Sequence, residues 1–149
     1  PNLPPVVADA EQLKRAFFNL IKNALEAMSE VDTETQRDKI EESESKSQDS
    51  EPALSVTKGF KIQGTLTIRA FVSEDSSRVF VQFTDTGKGI PPDMRPKLFT
   101  PHVSTKREGM GLGLAIVKKI LTDLGGDIRL EESPPDQIGT TFTLWLKVV

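Results

Sequence analysis

Residues 66–85 read LTIRAFVSEDSSRVFVQFTD, and this stretch decides the fold. Leu66, Ile68, Ala70 and Val72 alternate with Thr65, Thr67, Arg69 and Phe71. After the polar run Ser73 to Ser77, a second alternating run extends from Val79 to Thr84. A period of two on both sides of a polar turn predicts a β-hairpin with one apolar face. Downstream comes a glycine–proline loop, Asp85-Thr86-Gly87-Lys88-Gly89-Ile90-Pro91-Pro92. A short helix is expected from Pro92, a favoured first-turn residue, to about Leu98. Residues 99 to 111 read as loop. A second helix is predicted from about Leu112 to Leu124, ended by Gly125-Gly126. Ile128 and Leu130 mark a third strand, and Thr140 to Val148 a fourth with Phe142, Leu144, Leu146 and Val148 inward.

Upstream of the hairpin, Asp9 followed by Gln12 has capping-box spacing. Leu13, Ala16, Phe17, Leu20, Ala24 and Met28 then recur at helical spacing, so one stripe faces a core. The pattern stops near Ser29, with room for the helix to run on for some turns. Strands with one apolar face and helices at both ends predict an α/β domain of the α+β kind. Its expected architecture is a two-layer sandwich, a mixed β-sheet with helices packed on one face.

The 149 residues suit one domain, taken as 1–149, able to bury a core of its own. The absence of cysteine excludes disulfides and thiol chemistry, and the single histidine, His102, excludes a His-rich metal site. The net charge of −3 is unevenly spread. From Glu30 to Glu51 nine acidic residues face three basic ones, a local net of −6 that leaves the remainder mildly basic. Residues 30–58 therefore read as an acidic insertion too poor in apolar residues to build a core, and are expected to be mobile. A mildly basic body with an acidic insertion is no nucleic-acid profile. No run approaches the length of a membrane span.

Three features carry chemistry. Asn19 and Asn23 stand at i and i+4 on the first helix, so both carboxamides leave one side of it. A carboxamide oxygen is a hard neutral ligand of the kind Mg²⁺ accepts beside phosphates and water. Taken alone, the pair reads equally as a solvated helix flank. Asp85 precedes Gly87 and Gly89 at the end of a strand. An aspartate there can accept a hydrogen bond from an exocyclic amine, although an ordinary Asp-Gly turn has the same look. Gly109, Gly111 and Gly113 alternate into the start of a helix, where free N–H groups and the helix dipole attract anions. The spacing is neither the dinucleotide fingerprint nor a P-loop.

In this order the motifs resemble the catalytic ATP-binding domain of sensor histidine kinases, in the Bergerat-fold ATPase superfamily. Asn19-Leu20-Ile21-Lys22-Asn23-Ala24 resembles the N box, and Asp85 to Ile90 the first glycine box. Phe99 to Lys106 resembles the F box, Gly109 to Leu114 the second glycine box, and Gly139-Thr140-Thr141-Phe142 the last glycine–threonine box. The resemblance covers the chain except the insertion.

It implies ATP and Mg²⁺ as cofactors, with γ-phosphoryl transfer to a histidine. Asn23 would ligate the metal with Asn19 in support, and Asp85 would read the adenine amine. Gly87 and Gly89 would let the chain pass close to the base. Lys106, Gly109, Gly111, Gly113 and Leu114 would serve the phosphates and the loop over them. Thr140 would support Asp85, and Phe99 would anchor that loop. The implied partners are a histidine-bearing dimerisation domain and, downstream, a response-regulator receiver domain. The isolated domain is expected to be monomeric and cytoplasmic, whether or not its parent is anchored to a membrane.

The sequence departs from the pattern in two places. Glu26 stands where some relatives carry a lysine, which leaves Lys22, Lys106 and Arg107 as phosphate-facing cations. His102 replaces an aromatic of the F box and is expected to pack as one. Hydrolysing relatives of the gyrase and chaperone type place a glutamate where Asn19 stands, so an ATP-hydrolysing module is disfavoured. A serine kinase of the same superfamily shares the boxes as well. A non-catalytic nucleotide-binding module would not need the intact set of them.

Overall fold

A computed structural model describes residues 2–30, 61–101, 111–132 and 138–149. Helix α1 spans Ala10–Ala27, and the Asp9 carboxylate caps it by accepting from the Gln12 N–H at 2.9 Å. This satisfies one of the free donors at the helix start. The helix stops where the apolar stripe stops and does not run on. Ser29–Glu30 forms a strand instead, β1, paired antiparallel with β2, Lys61–Ile62. The Gln63 N–H donates to the Met28 carbonyl at 3.1 Å and holds this ribbon to the helix end. The expected insertion therefore departs from and returns to adjacent strands. Residues 31–60 lie outside the described residues.

The predicted hairpin is β3, Leu66–Val72, with β4, Arg78–Asp85. The chain then makes turns and a 3₁₀ helix at Arg95–Lys97, shorter than the short helix expected from Pro92 to about Leu98. Pro96 lies inside that segment, where a longer helix would lose a hydrogen bond and meet the proline ring. Helix α2 spans Gly113–Asp123, followed by β5, Asp127–Leu130, and β6, Thr140–Lys147.

The main sheet has the order β3-β4-β6-β5, and every neighbouring pair is antiparallel, in place of the expected mixed sheet. The reason is the placing of β6. The strands on either side of α2, β4 and β5, do run parallel. However, β6 lies between them and runs against both.

The register lines up Leu66, Asp85 and Thr140, then Ile68, Phe83, Phe142 and Leu130, then Ala70, Val81, Leu144 and Ile128. These rows share the face on which α1 and α2 pack, so the helices lie on one side of the sheet as expected, although Ile68 and Ala70 of the edge strand β3 stay exposed. Ala16, Leu20, Val117 and Leu121 meet Val81, Phe83, Phe142, Leu144 and Leu146 in a single core. Each fully buried leucine contributes about 1.5–3 kcal/mol of transfer free energy. Among the described residues no helix is long and apolar enough to cross a membrane.

Candidate functional site

The end of the sheet where Asp85 and Thr140 pair lies against the C-terminal end of α1. Asp85 is only 6% exposed and Thr140 5%, two of the three buried polar residues among the described ones. The Asp85 carboxylate accepts from the Gly87 N–H at 2.8 Å, which folds the glycine loop back on it. Burial pushes the Asp85 carboxyl above its ordinary pKa, and hydrogen bonds from the backbone N–H groups of Gly87 and Thr140 offset only part of that rise. A buried carboxylate with only backbone donors bound is an acceptor suited to an exocyclic amine.

The glycines of the loop do different work. Gly87 has no room for a side chain because Ala27 fills the space. A β-carbon on Gly87 would stand 2.7 Å from the Ala27 β-carbon, and the Lys88 N–H donates to the Ala27 carbonyl at 3.2 Å. The close approach at this glycine is thus to α1. Gly89 has φ +74°, a left-handed conformation that favours glycine, and its open side faces the Gly139 carbonyl.

The Asn pair and the second glycine box meet. α1 and α2 pack side by side, and Gly113 begins α2. A β-carbon on Gly113 would lie 3.6 Å from Asn19 Oδ1 and 4.0 Å from Asn23 Nδ2. Asn19 donates its amide N–H to the Arg15 carbonyl at 3.0 Å, which turns its oxygen toward α2. A half-turn of the Asn23 amide exchanges oxygen for nitrogen at the same point. Two carboxamides therefore face the N-terminus of an 11-residue helix across a gap kept open by a glycine.

Gly111, at φ +65°, bends the chain just before this point. Leu114 is half-buried and packs on the core. Phe99 also packs there, edge-on to Phe142 with ring centroids 6.2 Å apart, and the Lys118 ammonium lies 5.5 Å from its ring centroid. Lys22 is exposed and lies 3.9 Å from Glu26. Lys106, Gly109, His102 and Arg107 lie outside the described residues.

Sequence reasoning gave two glycines of this region no role of their own: Gly139, named only as part of the glycine–threonine box, and Gly64, not singled out. Gly139, at φ +124°, would drive a β-carbon into the Asp85 carbonyl oxygen. Gly64, at φ +149°, would place one 2.7 Å from Thr86 Oγ1 and 2.6 Å from Met28 Sδ. The signal for Gly139 is its place directly before Thr140. Gly64 carries none beyond being a glycine before a strand.

Comparison with known proteins agrees with this geometry. The sequence model of the family described as "Histidine kinase-, DNA gyrase B-, and HSP90-like ATPase" matches residues 8–149. The sensor histidine kinase ZraS of Escherichia coli K12 is 32% identical over 146 residues, 98% of this chain and 24% of ZraS. The sensory histidine kinase/phosphatase NtrB of Rhizobium meliloti is 34% identical over 131 residues, 88% of this chain and 30% of NtrB. The chain thus spans less than a third of the length of these curated relatives.

Among solved structures, the mycobacterial sensor histidine kinase MprB superposes with a TM-score of 0.67 at 23% identity, over 96% of this chain and 76% of that one. The nucleotide-free catalytic domain of the histidine kinase ThkA gives 0.63 at 25%, over 95% and 69%. The chain belongs to the histidine kinase-, DNA gyrase B- and HSP90-like ATPase family, in the form found in sensor histidine kinases.

Proposed function

We propose that this domain binds ATP with Mg²⁺ and presents the γ-phosphoryl group to a histidine on a separate dimerisation domain. That histidine would in turn serve the receiver domain of a response regulator. The observation that carries the reading is the pairing of two subsites. A buried carboxylate, Asp85, suits a base amine, and the Asn19/Asn23 pair facing the start of α2 suits a phosphate chain with its metal.

The residues present fit the metal. Among the described residues no three His, Asp or Glu side chains converge. The oxygen donors available are carboxamides, which leave Mg²⁺ the phosphate oxygens and waters it prefers. Bound there, Mg²⁺ would supply charge neutralisation for phosphoryl transfer, with Asn23 as protein ligand and Asn19 beside it. The free N–H groups of the first turn of α2 would donate to phosphate oxygens, and Gly113 leaves them uncovered. Asp85 would hold the base by accepting from its amine, backed by the Thr140 N–H.

Transfer forms an N–P bond to the incoming imidazole and breaks the bond between Pγ and the bridging oxygen. ADP leaves with that electron pair, and the imidazole proton passes to water. Neither carboxamide can take a proton from water. The site is therefore suited to a nucleophile brought by a partner. We take the domain to work as a monomeric unit in the cytoplasm, where ATP is. The test is a calorimetric titration with ATP, in Mg²⁺ and in chelator, on the wild type and Asn23→Ala. The reading expects Mg²⁺ to tighten binding in the wild type and to have little effect in the variant. Equal Mg²⁺ dependence in both would remove Asn23 from the metal site.

A further inference from the structure

Thr86, between Asp85 and Gly87, is the joint of this end of the molecule. Its hydroxyl accepts from the Thr65 N–H at 2.9 Å while its own N–H donates to the Thr65 carbonyl at 3.2 Å. The same hydroxyl lies 3.8 Å from Met28 Sδ, toward which it donates. Gly64 is kept free of a side chain by these two groups. Met28 caps α1 and, through the Gln63 N–H, holds the β1–β2 ribbon. One hydroxyl thus touches the helix end, the turn that leaves the ribbon and the segment that carries Asp85.

We propose that Thr86 is a positioning residue, through which α1 and the β1–β2 ribbon fix the Asp85 carboxylate in the orientation that accepts from the adenine amine. The inference rests on Asp85 as adenine reader. Thr86 itself is exposed and is assigned no contact with the base. Its influence runs through the Asp85–Gly87 turn, which its two bonds to Thr65 clamp from outside and the Gly87-to-Asp85 bond clamps from within. Whatever shifts the ribbon then shifts the preference for adenine.

The test compares ATP with inosine triphosphate, which carries a carbonyl where adenine carries its amine. Dissociation constants for both nucleotides are measured on the wild type, Thr86→Ser, Thr86→Val, Thr86→Ala and Asp85→Asn. All titrations run well below each variant's unfolding temperature. Thr86→Val is expected to weaken ATP by about five- to tenfold, the scale of one or two lost hydrogen bonds, and inosine triphosphate by less than about twofold. Thr86→Ser keeps the oxygen and should stay within about twofold of wild type for both. Thr86→Ala repeats the loss without a β-branched side chain, should the valine variant not fold.

A threonine that only stabilises the fold would lower the unfolding temperature and leave the ratio of the two affinities in place. That result in the valine and alanine variants overturns the inference. Asp85→Asn separates the two claims. If it erases the preference for ATP while the Thr86 variants keep it, only the positioning role falls. If it too keeps the preference, the adenine-reader assignment falls with it.

Discussion

Gly139 and Asp85 are in backbone contact where β6 begins beside β4, and a β-carbon at 139 would overlap the Asp85 carbonyl oxygen. The carboxylate proposed to read the base is thereby tied to the motif that supplies Thr140, so the first glycine box and the glycine–threonine box meet in one place.

Gly139→Ala should damage both fold and binding. The left-handed φ of +124° and the overlap with Asp85 together cost about 1–3 kcal/mol of stability. ATP affinity should fall even for the folded fraction, because Asp85 must move. Thermal unfolding and nucleotide titration check both, and an alanine variant with wild-type values in each would contradict the contact.

Asp85→Asn should separate stability from binding. Because the folded-state pKa of Asp85 is raised, the native state holds a proton that the unfolded chain has released between the ordinary and the raised value. Stability is therefore lost as pH climbs through that window, and Asn removes the loss. The variant should be at least as stable as wild type at neutral pH, with its advantage growing upward through the window and then constant. Its ATP affinity should fall by at least about tenfold, as a charged acceptor is lost. Unfolding free energies against pH, with ATP titrations at neutral pH, give both readings. A variant less stable than wild type at neutral pH would contradict the burial argument.

Much of the fold and site is legible in residue order. The Asp9 cap and the Leu13–Met28 stripe give α1, and strand parity puts Thr140 on the same face as Phe142. Asn19 and Asn23 are visible as amides that a Leu/Ala/Phe helix does not need. The ribbon Ser29–Glu30 with Lys61–Ile62 is not, since two residues per strand are too few for any periodicity. Nor is the place of β6 between β4 and β5, which local patterns do not encode. A glycine announces that space is missing without naming what fills it. The motif does not announce that the side-chain space at Gly87 is taken by Ala27, or that at Gly139 by Asp85.

Gly113→Ala tests the space between the helices. A β-carbon 3.6 Å from Asn19 Oδ1 is in ordinary contact, and alanine favours the helix by up to about 1 kcal/mol. The fold should be unchanged or stabilised. The methyl group would stand between the Asn pair and the N–H groups of α2, so ATP affinity should drop severalfold while adenosine affinity holds. Equal losses for ATP and adenosine would show that the gap does not receive the phosphates.

Asn23→Ala should leave the domain folded, since the core-facing stripe of α1 is untouched and alanine is a good helix former. It should also remove most Mg²⁺-dependent phosphoryl transfer. Melting curves and transfer rates at saturating Mg²⁺ measure the two effects. A wild-type rate would place the metal elsewhere.

The central claim is that phosphate leaves this domain for a histidine it does not own. The direct measurement is a time course with γ-labelled ATP on the isolated chain, alone and with a helical domain carrying an acceptor histidine. The account predicts label on the added domain only, faster when the two pieces are tethered and their effective concentration is raised. It predicts no label on His102, the sole imidazole of the chain, and slow phosphate release without the acceptor. Label on the isolated chain, or phosphate release from the isolated chain as fast as from a dedicated ATPase, would contradict it.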